Sequence, residues 1–195
     1  MNMVVILIPL LLLSVVFVSV SVINVNAPTF NISPHSDKTE VEEKVTVTVS
    51  VANDGFYIST NKGTLPPIAG CADGPTICLD DTSRDLAAEF SAARAMLERG
   101  ERELGQRRLD DAVDAYDWRR LYNTLAEIKR SENTTNIVNV AAEPHIPHAA
   151  VVRLFDVARH KLARDHYDDV ASFWRADVNR EDPALFPDPI LTVVQ

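Results

Sequence analysis

The sequence predicts an α/β protein, in which a single N-terminal transmembrane helix precedes a small two-layer α/β sandwich with a mixed sheet, helices on one face and a helical insertion. Residues 1–36 contain no Asp, Glu, Lys or Arg. Residues 44–52 alternate Val with Thr or Ser, as a half-buried strand does. The strands and helices predicted from here to the end of the chain follow in the order ββ–(α)–α–β–α–β. The predicted segments are a transmembrane helix at 1–23, a linker at 24–43 and a folded domain at 44–195 that includes the insertion at 61–115.

The N-terminal apolar run has the length of a membrane span. Met3 to Ile23 form an uncharged stretch. As a helix this stretch would be about 31 Å long, which matches the hydrocarbon core of a bilayer. Ser14, Ser19 and Ser21 are small polar residues that let a neighbouring helix approach closely, so we expect them at a helix-packing face.

A cleaved signal peptide is the alternative for this segment, with Val25-Asn26-Ala27 as the processing site. No basic residue precedes the apolar run, the run is longer than a usual signal core, and Pro28 would follow the cleaved bond. We therefore favour an uncleaved membrane anchor. The expected orientation is a cytoplasmic N-terminus with the C-terminal domain outside the cytoplasm.

The charge of the exported part excludes one class of function. All 28 acidic and all 19 basic residues lie from Asp37 onward, and the net charge is −9. An acidic domain repels nucleic-acid phosphates, so nucleic-acid binding is excluded as a function.

Cys71 and Cys78 lie in a Gly- and Pro-rich stretch, where a local disulfide is predicted for an exported domain. Two unpaired thiols are the alternative.

The first half of the domain predicts a β-hairpin and an inserted helix. Residues 44–52 and 56–60 form the hairpin strands around Asn53-Asp54-Gly55, and residues 61–80 are predicted as loop. Thr82 or Ser83 offers an N-cap for a helix that is expected to continue through the Arg- and Glu-rich run at 94–108.

The second half predicts alternating helices and strands. Asp117 caps an amphipathic helix whose apolar face begins at Trp118. The further predictions are a buried strand at 136–142, a helix at 148–162 that buries Val152 among its apolar residues, a polar stretch at 164–182 and a last strand at 190–194.

Enzyme and metal signatures are not found in the sequence. It contains no G-x-S-x-G, P-loop or H-E-x-x-H motif. His145 and His148 lie near Glu143, but Pro147 and the turn at this point account for their spacing. We therefore expect no enzymatic activity, no cofactor and no metal site.

Four ordered stretches resemble the ExbD/TolR family of single-pass subunits in proton-driven inner-membrane complexes. The most specific of them is VNVAAEPHIPHAAVVRLFDVAR at 138–159, which is similar to the family's strand, its A-[DE]-P-x-[IV]-P-[YH] turn and the following helix. The other stretches are the N-terminal apolar helix, the Val/Thr strand with GFYI at 55–58, and DW at 117–118 opening a helix that ends in LAEIK at 125–129.

The resemblance implies a subunit that couples the ion gradient across the inner membrane to transport or other work in the envelope. It implies a multi-span partner similar to ExbB or TolQ, a homodimer of the periplasmic domain, and a TonB-like or peptidoglycan partner in the envelope. In the family an aspartate near the cytoplasmic end of the membrane helix carries the proton, since burial raises the pKa of a carboxyl group.

Asn2 stands where the family's acid is expected, and an amide does not titrate. Either residues precede Met1, or the chain is a non-titrating paralogue, which is the explanation that we favour. The alternative function is a membrane-tethered envelope module that binds peptidoglycan or protein without a motor partner. A secreted protein with a cleaved signal is a third possibility.

Overall fold

The computed structural model describes residues 44–71 and 74–192. The predicted transmembrane helix at 1–23 and the linker at 24–43 therefore lie outside the described residues. Within the described ranges, no helix combines the length and apolar character that crossing a membrane requires.

The predicted β-hairpin forms the first two strands. β1 spans Val45–Ala52 and β2 spans Gly55–Thr60, and they pair antiparallel with Ala52 opposite Gly55. The valines of β1 are buried and the Thr and Ser residues between them are partly exposed. This alternation arises because successive side chains of a strand point to opposite faces, so the prediction of a half-buried strand is confirmed.

Four further pairings make the sheet mixed. β3 (Gly63–Thr64) and β4 (Ile77–Cys78) pair antiparallel with β2, while β5 (Thr134–Ala142) pairs parallel with β1. β6 (Asp188–Thr192) pairs parallel with β5. The strand order is β3-β2-β1-β5-β6, with β4 also on β2. The predicted mixed sheet with helices is therefore present in the described residues.

The helices of the second half follow the predicted pattern closely. α3 spans Trp118–Ser131, and the Asp117 side chain accepts a hydrogen bond from the backbone N–H of Arg120 at 2.8 Å. This contact satisfies one of the N–H groups that a helix start leaves free. α4 spans His148–Arg159 and follows the turn after β5.

The prediction of one continuous helix through residues 94–108 is wrong. The insertion contains two helices, α1 (Leu86–Glu98) and α2 (Arg102–Val113), joined by a tight turn. Gly100 has φ +84°. Its N–H donates to Leu97 O at 3.0 Å and the N–H of Glu101 donates to Met96 O at 3.0 Å. This pair of bonds ends a helix at a left-handed glycine, which other residues rarely adopt.

Other boundaries and burial assignments also differ from the prediction. The cap of α1 is Asp85, whose carboxylate accepts from Ala88 N at 3.0 Å, rather than Thr82 or Ser83. α4 ends at Arg159 instead of 162, and its Val152 is 43% exposed because it lies on the outer side of the helix. The predicted loop at 61–80 contributes the short strands β3 and β4, because each finds a free position beside β2.

The segment predicted as a polar stretch at 164–182 contains a short helix and buried aromatic residues. Tyr167 and Phe173 are buried, and α5 spans Val170–Trp174. Tyr122 on α3 holds this segment: its hydroxyl donates to Arg164 O and accepts from Leu162 N, both at 2.9 Å. Aromatic packing and hydrogen bonds to the backbone together anchor a segment whose composition is polar, while most of its other residues stay exposed.

The last two strands begin earlier than predicted. The described part of the last strand, Asp188–Thr192, begins two residues before the predicted start at 190, and the predicted positions 193 and 194 lie outside the described residues. The strand predicted as buried at 136–142 begins at Thr134, and its Ile137 is 37% exposed. Ile137 lies opposite Asp188 of the edge strand β6, where the sheet is partly open to solvent.

Candidate interaction surfaces

The described domain presents several surfaces that suit contacts with partners. Four of the predicted site residues, Asn2, Ser14, Ser19 and Ser21, lie outside the described residues. The other two predicted site residues, Cys71 and Cys78, form a disulfide with 5.5 Å between their Cα atoms.

The disulfide attaches a loop to the sheet. Cys78 belongs to β4 and lies opposite Gly55 of β2. Its backbone N–H also points to Cys71 Sγ at 2.9 Å. Strand pairing therefore holds Cys78, and the covalent bond ties Cys71 to it. Such a bond limits the freedom of the unfolded chain more than that of the folded chain.

We expect the double substitution Cys71→Ser with Cys78→Ser to lower the free energy of unfolding by about 2–3 kcal/mol, the value for a short closed loop. Denaturant titration of the oxidised protein against the variant measures the difference. Treating the unsubstituted protein with a reductant is the matched control and should give the stability of the variant. Equal stability of the oxidised and reduced proteins would contradict the prediction.

A cleft of about 570 Å³ lies beside the start of β1. Its apolar floor includes Val45, Leu65, Ile68 and Ile128, and the Lys62–Glu132 ion pair lies at its rim. Apolar lining with a few polar groups is typical of pockets that bind a ligand or a partner's side chain.

A polar cluster lies at the carboxyl ends of β1 and β5. Tyr57 Oη donates to Asp54 Oδ2 at 2.8 Å, and Asn53 Nδ2 donates to Glu143 Oε2 at 3.3 Å. The hydrogen bond to Asp54, together with burial, raises the pKa of Tyr57 from its ordinary value of 10.0 to about 12. The tyrosine therefore stays a neutral donor further into the alkaline range than a free tyrosine does.

The raised pKa of Tyr57 predicts a loss of stability in alkali. Below pH 10 the hydroxyl is protonated in both states. Between pH 10 and about 12 the unfolded chain loses this proton while the folded chain retains it, so stability falls as pH rises through this interval. Asp54→Ala should lower the pKa of Tyr57 toward its ordinary value and make the loss less steep. Tyrosinate absorbance and unfolding curves measure both effects.

Tyr57→Phe is the control for that experiment, because it removes the titrating group and should reduce the alkaline loss in the same way. Burial also raises the pKa of Tyr122 to about 12, so part of the loss remains in both variants. An unchanged pKa of Tyr57 in Asp54→Ala would contradict the assignment.

The turn that carries the family resemblance is a rigid connection between β5 and α4. Ile146 is buried and its N–H donates to Glu143 O at 3.0 Å, while Glu143 N donates to Val51 O at 3.2 Å. His145 and His148 are exposed. No group of three or more His, Cys, Asp or Glu residues within 44–71 and 74–192 is placed to hold a metal ion.

An exposed tryptophan marks a surface that the sequence analysis missed. The Arg153 guanidinium lies between the rings of Trp118, at 5.9 Å, and Trp174, at 5.3 Å, and forms an ion pair with Asp114. Trp174 is 51% exposed, with Val170 exposed beside it. The aromatic residues within the polar stretch at 164–182 were the available signal for this surface.

Two further pairs of exposed apolar residues lie on other elements. Ile190 and Leu191 lie on the edge strand β6, and Leu97 and Leu104 lie near the turn between α1 and α2. Both leucines fall within the region predicted as one continuous helix, whereas the turn at Gly100 places them on two helices. In comparisons with known proteins, no family model, curated protein or solved structure matches this chain.

Proposed function

We propose that this chain is an ExbD/TolR-like subunit of the bacterial inner membrane, in which residues 2–23 bind a multi-span ring partner and the domain at 44–195 works in the periplasm. The complex would couple the ion gradient to transport or other envelope work. The observation that carries the proposal is the block at 138–159, which holds the most specific resemblance and occupies the centre of the folded domain.

The described structure supports this use of the block. Its strand residues Val138 and Val140 are fully buried on β5, which pairs with β1 and β6. Leu154 and Ala158 of α4 are buried, while Asp156 is exposed. The apolar positions of the motif therefore match core positions, as expected if the resemblance reflects a shared fold rather than chance composition.

The proposed arrangement is a two-layer sandwich with helices over one face of the sheet, displayed outside the cytoplasm by a single anchor. Two surfaces are available for contacts in the envelope: the cleft beside Val45 and the edge strand β6. We assign them to an envelope partner, such as a TonB-like protein or peptidoglycan, and to a second periplasmic domain. Asn2 does not titrate, so this copy would scaffold or regulate the complex without carrying the proton itself.

Mass spectrometry of the protein isolated from its native membrane in mild detergent tests the proposal. We expect an uncleaved N-terminus together with a multi-span partner in fixed stoichiometry. A chain that starts near Pro28 and is recovered without a membrane partner would overturn it. The intact mass also shows whether residues precede Met1.

Ser14→Leu tests the packing face of the anchor. The larger side chain should hold a neighbouring helix away, and loss of about 1–2 kcal/mol of helix association would reduce the co-purified partner about tenfold. Ser14→Ala keeps the residue small and should leave the ratio unchanged. Equal recovery of the partner with Ser14→Leu would show that this face does not contact the ring.

A second candidate is a membrane-tethered envelope module that binds peptidoglycan or protein without a motor partner. The lack of any Asp or Glu in residues 1–36 favours it, because a motor subunit needs a titrating group near the membrane. The same mass spectrometry separates the two functions, since the second predicts a membrane-bound, uncleaved chain with no multi-span partner.

A further inference from the structure

The helical hairpin of α1 and α2 is anchored at its base and exposed at its far end. Near the base, Leu86, Phe90 and Val113 are buried in the core of the domain. We call residues 94–108, around the turn between the two helices, the arm tip. Every residue of this range is described, and only Gly105 among them is buried. The tip is therefore a surface that the rest of the described domain leaves uncovered.

The two helices of the arm fit closely together, so the tip has a defined shape. A Cβ atom at Gly105 would lie 2.8 Å from Leu97 Cγ and 3.1 Å from its backbone N. The absence of a side chain at Gly105 therefore lets α2 approach α1. The side chains that point away from this contact stand on a packed support, as those of a binding surface do.

Apolar and basic side chains of the tip share one continuous surface. Leu97, Arg102 and Arg107 line a shallow groove of about 610 Å³. Arg107 also lines a neighbouring groove of about 470 Å³, together with Leu104 and Arg108. Leu97 is 36% exposed and Leu104 is 58% exposed. Apolar area is therefore available in both grooves, beside guanidinium groups.

The arm tip is basic within an acidic chain. It carries five arginines against three glutamates, whereas the whole chain has a net charge of −9. Two of the arginines pair with glutamates of the tip itself. Among the described residues, no carboxylate lies within ion-pair distance of Arg94 or Arg102. Both guanidinium groups are therefore available to an anionic partner.

The order of charges along α2 is largely the reverse of the order that stabilises a helix. The helix dipole favours acidic residues in the first turn and basic residues in the last. Arg102 is the first residue of α2, although Glu103 beside it is acidic, and the last turn carries Asp110 and Asp111 with no basic residue. Helix stability therefore does not account for the positive charge at the tip, whereas binding of an anion does.

The combination of arginine and leucine on a projecting end suits a lipid surface. Guanidinium groups bind phosphate oxygens in pairs, and leucine side chains enter the apolar layer below the headgroups. A bilayer yields around a convex tip, whereas a protein partner needs a matching recess. We propose that the arm tip at 94–108 binds the surface of a bilayer that contains anionic phospholipid.

The acidic remainder of the chain restricts this contact to the tip, because an anionic surface repels it. The arginines lie against the lipid phosphates, and Leu97 and Leu104 lie below them. This inference goes beyond the proposed function, since it requires neither the anchor nor the ring partner at residues 2–23.

A fluorescent label on the full chain in lipid nanodiscs tests the contact. Gln106 is exposed on the tip, and the two native cysteines are joined in the disulfide, so Gln106→Cys gives one reactive thiol. An environment-sensitive dye there should emit at shorter wavelength in discs that contain phosphatidylglycerol than in discs of phosphatidylcholine alone. Added salt should reverse the shift, because it screens exposed charges. The dye at Ala171→Cys, an exposed site outside the tip, should show no shift.

Charge reversal identifies the groups that bind. Arg94→Glu with Arg102→Glu should lower the ratio of lipid-bound to free tip about tenfold or more, since attraction at both positions becomes repulsion. Arg130→Glu with Arg159→Glu makes the same change of net charge at exposed positions elsewhere and should leave the ratio unchanged. Leu104→Ser should also lower the ratio, because it removes apolar area from the contact.

Three results would overturn the inference. The first is equal emission of the Gln106 label in the two lipids, and the second is a shift that persists in the variant with Arg94 and Arg102 reversed. The third is a tip that stays in water beside anionic lipid but cross-links to a protein in native membranes, which would assign the arm to a protein partner. Circular dichroism of the variants should be unchanged, because the replaced side chains are exposed.

Failure of the proposed function gives a different result. A chain that begins near Pro28 and does not enter the discs would overturn the membrane anchor, yet this shorter chain should still float with preformed vesicles that contain phosphatidylglycerol. Vesicles of phosphatidylcholine alone should not carry it. Conversely, an anchored chain with its ring partner but with a tip that stays in water would retain the proposed function and overturn this inference.

Discussion

Trp118→Ala is expected to lower the free energy of unfolding by about 3–5 kcal/mol, the range for truncating a large buried aromatic residue. Trp118 is 2% exposed and packs against Phe56 and Tyr116, with ring centroids at 5.0 and 5.5 Å. Its indole N–H also donates to Val113 O at 2.9 Å. Truncation would leave a cavity and an unpaired carbonyl at the junction of α2, α3 and the sheet. Denaturant titration measures the loss.

Trp174→Ala is the matched control for that prediction, because it removes the same side chain from an exposed position. Its contacts are the Phe173 ring at 4.9 Å and the Arg153 guanidinium. We expect a loss of about 1 kcal/mol, the value of exposed aromatic and cation–π contacts. Similar losses for the two tryptophans would show that the Trp118 cluster does not hold the core together.

Gly55→Ala is expected to be the other strongly destabilising substitution. Gly55 has φ +144°, and a Cβ atom there would lie 2.1 Å from the carbonyl oxygen of Ile77. Both the strained backbone and the collision with β4 act against alanine. The backbone alone costs about 1–3 kcal/mol. Because a backbone oxygen cannot move aside as a flexible side chain can, we expect a total loss above that range.

Gly63→Ala separates the two causes. Gly63 has a similar φ of +138°, but nothing lies within 4 Å of its Cβ position. It should therefore show the backbone cost of about 1–3 kcal/mol without the collision. The difference between the two variants measures how tightly β4 lies against β2. Equal losses would mean that β4 moves away at little cost.

The hairpin of β1 and β2 and the start of α3 were predictable because local signals specify them. The Val/Thr alternation requires one buried face, and Asn53-Asp54-Gly55 sets the turn. Asp117 offers its carboxylate to the backbone N–H groups that follow it. Each signal acts over a few residues, so it does not depend on distant parts of the chain.

The break between α1 and α2 was also encoded locally, at Gly100, but the surrounding Arg and Glu residues are good helix formers and concealed it. The prediction for the segment at 164–182, a polar stretch, was incomplete for a different reason. Its polar composition predicts loop, yet Tyr167 N donates to Asn123 Oδ1 at 3.0 Å and its ring packs on Tyr122. These partners lie far away in sequence, so only the packed chain brings them together.

The sequence alone determined the mixed α/β class, the central hairpin and the apolar faces of the helices, because periodicity records which side of each element leaves water. Only the tertiary structure decided that β4 closes against Gly55, that Arg153 contacts two tryptophan rings, and that Tyr167 packs on Tyr122. The physical reason is that each of these depends on contacts between residues far apart in sequence, whose geometry is fixed only when all elements pack together.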